Sequence, residues 1–435
     1  MKELIKQLIV YGQHSLPAEV RAREVVLPVD SGKIIALAGV RRSGKSSLFL
    51  VTINGLLAAG VPKEHILMLN FDDERLHFDG STLDLILQAY RELYPRVNLR
   101  DVYIFLDEVQ MSTGWEPFVR RVYEQTCRHI FITGSNSRML SSEIATSLRG
   151  RCLQYEVFPL SFREWCAFRA VEPEVYHPQG RARAAAAWLD YLQVGGFPEV
   201  VLMPAHRERT LQEYFFIMLY KDLMERYGIR NPEPVRYFVH RVMANITKPT
   251  SVNKIFNEMK SLGVAIGKNT VYDLIGQTES IYLFLGLSRY DRSLVRRSTA
   301  DRKYYCVDAG LYRALLPSAG ADNGKMLENA VFLHLRRVLS LGSSLYYYKG
   351  RGECDFVVVC GGGVVELIQV AWEMHDYDTR ERELGGIVEA ARETCCSALT
   401  IITADEEGVV HRDGFDVRIV PAWLWAMEYG CGGIV

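Results

Sequence analysis

The chain has 435 residues, 49% of them hydrophobic and 24% charged, with a formal net charge of -1. That length exceeds what a single core ordinarily serves, so two or three domains are expected, and near-neutral charge confines any nucleic-acid surface to a local patch. Nine cysteines, odd in number and without a CxxC pair, argue against a disulfide framework or structural zinc and for reduced thiols in a cytoplasmic protein.

Residues 1–13 read as an amphipathic helix with charges inside its apolar run, unlike a signal peptide, and no stretch reaches the roughly eighteen apolar residues a membrane span needs. The apolar run 34–38 has the composition of a buried strand. It passes into Gly39, four residues, Gly44, Lys45 and Ser46, which is the GxxxxGKS spacing of a P-loop, followed by a helix over 47–58. The glycines let successive backbone N–H groups turn inward around a phosphate, and the helix points its positive end at the same anion. Lys45 then reaches the β- and γ-phosphates of ATP and the Ser46 hydroxyl holds Mg2+, with Arg42, Ser43 and Ser47 completing the nucleotide contact. A strand-to-helix turn that binds nothing is the alternative.

A second strand over 66–70 leads to Asp72-Asp73-Glu74, which either approaches the metal or forms a solvated loop. After a helix over 83–93, the run 102–106 (VYIFL) ends in Asp107-Glu108 on what should be a strand neighbouring the P-loop strand. Asp107 would hold Mg2+ through water and Glu108 would polarise the attacking water. A helix over 115–127 and a strand over 129–133 follow, with Ser135 and Asn136 just beyond as candidates for sensing the γ-phosphate; a simple turn is the alternative. Strands alternating with helices predict a parallel sheet with the phosphate site at its C-terminal edge. Arg149 and Arg151, in the sequence LRGR, suit insertion into a neighbouring subunit's site as arginine fingers, which implies a homo-oligomer; surface ion pairing is the alternative.

The segments GVRRSGKS, LDEVQ, TGSNS, LRGR, FPLSF (158–162) and GGFPE (195–199), in this order, resemble the prokaryotic AAA+ ATPases that pair an AAA-type core with a C-terminal, DUF4143-like domain related to the restriction-endonuclease fold. The resemblance covers nearly the whole chain. It implies an α/β fold with an AAA+ ATPase core at 1–160, a helical lid at 161–245, a winged-helix domain at 246–322 and a nuclease-like α/β domain at 323–435.

The residues fit that division. Residues 163–245 are helix-rich by pattern, and GGFPE should make a tight turn among those helices. From 251, a capped helix, a glycine turn and a second helix opening at Lys268, Asn269 and Thr270 make a helix-turn-helix whose second helix would enter a DNA groove. The hairpin-like segment after it carries Arg289, Arg292, Arg296, Arg297, Arg302 and Lys303, a basic wing suited to phosphates. A protein-protein module is the alternative.

In the last third, Glu328, Asp355, Gln369 and Ala371 stand where restriction-like nucleases carry their metal-binding carboxylates and lysine. Gln369 replaces an acid and Ala371 the lysine, with Tyr348 or Lys349 the nearby substitutes, so the domain is expected not to cut DNA. The function expected is that of an oligomeric, Mg-ATP-hydrolysing protein that translocates on or remodels branched or duplex DNA. The alternatives are a STAND-like nucleotide-gated signalling or defence switch and an ATP-dependent nuclease. A protein partner through the winged helix or the C-terminal domain also stays open.

Overall fold

A continuous apolar run specifies a strand covered on both faces, and 34–38 meets that demand. In the computed structural model, which describes residues 1–137, 146–174, 176–264, 266–316, 322–340 and 342–430, this run is β1 (Ile34–Ala38), buried throughout. β2 (Ile66–Asn70), β3 (Tyr103–Asp107), β4 (His129–Gly134) and β5 (Cys152–Glu156) complete a parallel sheet of order β2-β3-β4-β1-β5. Alternate residues of β1 serve opposite cores. Ile34, Ala36 and Ala38 pack with apolar residues of the helices Lys2–His14, Asp84–Leu93 and Trp115–Gln125, whereas Ile35 and Leu37 pack with the helix Lys45–Ala58. On that second face Phe49 meets Phe105 edge-on at 5.2 Å and Phe105 stacks on Phe131 at 4.5 Å, which fastens the helix after the P-loop to β3 and β4. One expectation is corrected here: β4 lies between β1 and β3, so the carboxylates of β3 come from the second strand over rather than from a neighbour.

The chain divides into two compact units, Met1–Phe158, just described, and Pro159–Val435. The second unit begins with a helical stretch, Phe162–Phe168, Pro178–Val194, Pro198–Leu202, Arg207–Ile217 continuing as a π-helix over Met218–Glu225, and Pro232–Ala244. A capping box opens it: Glu164 N donates to Ser161 Oγ at 3.1 Å and Ser161 N to Glu164 Oε2 at 2.9 Å. Next come β6 (Pro249–Thr250), the helices Val252–Ser261 and Lys268–Ser280, β7 (Phe284–Leu287) and β8 (Arg302–Cys306), the strands forming an antiparallel sheet of order β6-β8-β7. This is a winged-helix arrangement, though the β7–β8 connection carries a short helix, Leu294–Thr299, instead of a plain hairpin.

The C-terminal part is a six-stranded mixed sheet of order β13-β14-β12-β11-β10-β9. The helix Asn323–Val338 precedes β9 (Ser343–Lys349), β10 (Glu353–Cys360) and β11 (Gly363–Val370), an antiparallel meander. The helix Tyr377–Thr394 leads to β12 (Leu399–Thr403), which runs parallel to β11, and β13 (Gly408–Arg412) and β14 (Phe415–Pro421) close the edge. Leu384, Ile387 and Ala391 of that helix share a core with Val357, Leu367 and Ile401 of the sheet. The cysteines among the described residues are free thiols, and no described helix is long and apolar enough to cross a membrane.

GGFPE is more than a turn among helices. Gly195 sits at φ +81°, and a Cβ there would lie 2.2 Å from Asp308 Oδ1. Gly196 N donates to Asp308 Oδ2 at 2.6 Å, and its carbonyl accepts from Leu160 N, also at 2.6 Å. Asp308 in turn caps the helix Ala309–Leu315 through Leu311 N at 3.0 Å. One buried carboxylate therefore joins FPLSF, GGFPE and the end of the winged helix; burial pushes its pKa up to about 6 despite the backbone N–H groups that hold it. Gly195→Ala should combine a steric collision with a backbone conformation reserved for glycine, costing about 2 kcal/mol or more. Thermal denaturation should then show a fall of roughly 4 °C or more; an unchanged midpoint would remove this junction from the account.

Candidate nucleotide site

β1 ends against a wall. Val157 N donates to Ala38 O at 2.7 Å, and a Cβ at Gly39 would lie 2.0 Å from Val157 O, so only glycine fits where the P-loop begins. The loop turns through Arg42 (φ 69°) and Gly44 (φ 95°), the latter capping the helix Lys45–Ala58. Lys45 is 4% exposed, and its ammonium donates to the carbonyls of Gly39 and Val40 at 3.1 Å each and lies 3.8 Å from Glu108 Oε1. A buried ammonium must find acceptors, and here the loop itself supplies them. Ser43 Oγ is fully buried without a hydrogen-bond partner among the described residues, whereas Arg42 and Ser46 are exposed and Ser47 half-buried.

Ser46 Oγ donates to Asp107 Oδ2 at 2.7 Å. Thr133, on the intervening β4, donates its hydroxyl to Asp107 Oδ1 and accepts from Glu108 N at 2.9 Å. Glu108 has φ 53°, a left-handed conformation that takes it out of the strand direction as β3 ends. Gln110 Nε2 donates both to Glu108 Oε2 and, at 3.3 Å, to Ser135 Oγ, which brings Ser135 into the cluster; Asn136 is buried beside it in sequence. Of the acidic stretch after β2, Asp72 approaches the P-loop by pairing with Arg41 at 3.3 Å, while Asp73 pairs with Arg75.

The two carboxylates of β3 differ electrically. Burial pushes the Asp107 pKa up, against the hydrogen bonds from Thr133 and Ser46. Burial acts upward on Glu108 as well, but the Lys45 charge, the Gln110 hydrogen bond and the Arg41 charge outweigh it and hold Glu108 below its ordinary range. Burial thus works against the anionic form of Asp107, whereas the cations around Glu108 favour its anionic form. Thr133 and Gln110 escaped the sequence reading. Their only signal was position, as the polar end of an apolar strand and the residue two beyond Glu108.

Arg149 and Arg151 lie at the opposite edge of the sheet. Ile34 N, at the start of β1, donates to Arg151 O at 2.8 Å, while the P-loop leaves the far end of that strand, roughly 16 Å away. The Arg151 guanidinium pairs with Glu124 and lies 5.8 Å over the Tyr123 ring; Arg149 is exposed. In the second unit Lys268, Asn269 and Thr270 are exposed on the first turn of their helix. The wing arginines are differently placed. Arg289 donates to Lys349 O, Arg292 to Glu393 O at 3.1 Å, and Arg297 to Tyr346 Oη at 2.9 Å while lying 4.6 Å over that ring. Tyr290 N donates to Tyr347 O at 2.7 Å, so the connection lies along β9 rather than projecting as a ribbon. Arg296 remains 74% exposed, paired with Asp291 at 3.2 Å, and Lys303 is buried.

Comparison with known proteins agrees with this geometry. The family described as an AAA domain matches residues 31–166, and a domain of unknown function, DUF8612, matches residues 185–322, the later helices of the helical stretch and the winged helix. An uncharacterized protein of Haemophilus influenzae is 28% identical over 397 residues, covering 91% of this chain and 95% of its own. Among solved structures, the Aeropyrum pernix Orc1 protein in complex with DNA aligns with 73% of this chain and 91% of its own at 13% identity, with a TM-score of 0.29, too low to bear on function. The uncharacterized protein MJ1544 of Methanocaldococcus jannaschii is 31% identical over 425 residues, covering 95% of this chain and 92% of its own. A likeness that runs from end to end at this level decides membership: the chain belongs to the family of the M. jannaschii protein, and its first unit is an AAA domain.

Proposed function

We propose that the protein is an Mg2+-dependent ATPase that works as a homo-oligomer on duplex or branched DNA. The observation that carries the hydrolytic half is the link Ser46–Asp107–Thr133–Glu108, which ties the P-loop to both carboxylates of β3. Ser46 and Asp107 offer hard oxygens side by side, 2.7 Å apart, which suits a divalent cation there. Bound Mg2+ would neutralise charge on the phosphate oxygens. Lys45 exchanges its loop carbonyls for the β- and γ-phosphates, and the buried Ser43 hydroxyl gains an acceptor; Gly39 and Gly44 keep the backbone free of side chains, with Arg42 and Ser47 at the rim. Glu108, anionic and aimed by its left-handed turn, takes a proton from the attacking water. Ser135, reached through Gln110, and Asn136 are positioned to respond to the γ-phosphate.

Arg149 and Arg151 stand at the edge away from their own P-loop, so they can serve only a neighbouring copy, which favours fingers acting in trans. For DNA, the exposed first turn at Lys268, Asn269 and Thr270 and the exposed Arg296 are the favoured contacts. Arg289, Arg292 and Arg297, engaged with carbonyls and Tyr346, would contribute less.

Lys45→Ala should abolish ATP binding. Glu108→Gln should bind ATP but hydrolyse it at least about a hundredfold more slowly, and Thr133→Val should slow turnover roughly 10–100-fold with affinity little changed; normal turnover in either moves the base or its support elsewhere. Arg151→Ala should bind nucleotide but turn over poorly, and mixing it with Lys45→Ala protein should restore hydrolysis. Failure to restore, with both variants assembled together, would remove the finger assignment. Replacing Lys268 and Arg296 together by Ala should weaken DNA binding across sequences and shallow its salt dependence by roughly one to two units of slope. ATPase rates measured with single-stranded, duplex and junction DNA test the whole reading, since a nucleotide-gated switch would retain nucleotide and ignore DNA.

A further inference from the structure

β8 carries Lys303 into the C-terminal sheet domain, where 1% of its side chain is exposed. Its ammonium lies 2.8 Å from Asp355 Oδ1 and 2.9 Å from Glu353 Oε1, both on β10, and 3.2 Å from Glu328 Oε1 on the helix Asn323–Val338. Carboxylates from two elements thus converge on one point, and a cation of the chain's own is already there. Most of the carboxylate oxygens have further partners. Val370 N donates to Asp355 Oδ2 at 3.0 Å, Tyr305 Oη to Glu328 Oε1 at 2.8 Å, and Lys349 pairs with Glu353 Oε2 at 2.6 Å. Gln369 turns its amide oxygen to Asp355 N at 3.1 Å and its amide nitrogen to Glu383 Oε2 at 2.6 Å, and Glu383 is held by Arg382 at 2.7 Å.

We propose that Lys303 is the resident cation of this site: a tethered ammonium that occupies the space a divalent metal would take, closes the carboxylates to Mg2+ and Mn2+, and locks the winged helix to β10. A metal bound at 2.0–2.6 Å from the same oxygens would compete for the space of Nζ, itself 2.8–3.2 Å from them, and two cations in a buried setting repel strongly. The local charges also nearly close without a metal: Lys303, Lys349 and Arg382 balance Asp355, Glu353 and Glu383, and Glu328 shares Lys303 while receiving the Tyr305 hydroxyl. Among the described residues no group of three or more metal-ligating side chains is arranged to hold a metal ion. The amide at Gln369 and the missing lysine at 371 already weakened the case for DNA cleavage; Lys303 adds a physical plug, independent of the ATPase reading.

The test uses full-length protein without nucleotide, measuring Mn2+ binding by equilibrium dialysis and unfolding by thermal scan. Wild type and Asp355→Asn should bind Mn2+ equally. Lys303→Met, which strands buried carboxylates, should unfold roughly 6 °C lower or more, gain one Mn2+ site and recover part of the loss in millimolar Mn2+. Lys303→Met with Asp355→Asn should lose that gain. Should Lys303→Met not fold, Lys303→Met with Asp355→Leu, an apolar replacement for the pair, should fold, and the comparison of wild type with Asp355→Asn still decides. Mn2+ binding by wild type that depends on Asp355, a Lys303→Met protein of unchanged stability without a new site, or DNA cleavage by wild type that Lys303→Met abolishes would each overturn the proposal.

Discussion

The nucleotide site exists because three strands are tied together at one edge of the first sheet, and the tie is a pair of hydroxyls. β4 separates the P-loop strand from the strand that ends in Asp107 and Glu108, so side chains must bridge the gap. Ser46 reaches Asp107 from one side, and Thr133 holds both the Asp107 carboxylate and the Glu108 backbone from the middle. Because Asp107 is buried, each of these bonds opposes a desolvation cost that would otherwise neutralise it. The aromatic stack beneath, Phe49 on Phe105 and Phe131, keeps the same three elements in register from below.

Buried charge organises the second unit too. Asp308 accepts backbone hydrogens from Gly196 and Leu311, Gly196 in turn accepting from Leu160, and Lys303 gathers three carboxylates by donating its own. Paired interior charges of this kind add little net stability, but removing one partner is costly, so they fix which segments meet. The glycines at 195 and 196 belong to the same logic: they are small because a carboxylate and a carbonyl occupy the space where side chains would go.

Much of this was legible in the sequence wherever the determinant is local. The P-loop, the strand ending in Asp107-Glu108, the alternation of strands with helices and the helix-turn-helix beginning at 251 all rest on spacing within a few residues. Strand order is not local, and the insertion of β4 between β1 and β3 had no sequence signal. The wing arginines are ambiguous in sequence for a related reason. A guanidinium suits a carbonyl or a tyrosine ring as well as a phosphate, and whether Arg289, Arg292 and Arg297 meet one or the other depends on β9 lying alongside them. Lys303 is one cation in a basic run, and nothing in that run marks it as the residue pointing inward. GGFPE announced glycines but not the Asp308 carboxylate, more than a hundred residues later, that needs them.

The placement of Arg151 at the start of β5, with the P-loop at the end of β1, has a consequence for assembly geometry. A two-fold contact would have to hold both edges, roughly 16 Å apart, in one self-complementary patch; where the arginine edge of one copy instead meets only the phosphate edge of the next, the contact is heterologous and repeats head to tail. Such a contact either closes into a cyclic ring or continues as a helical spiral, and every copy but a terminal one in the open form then holds a completed site.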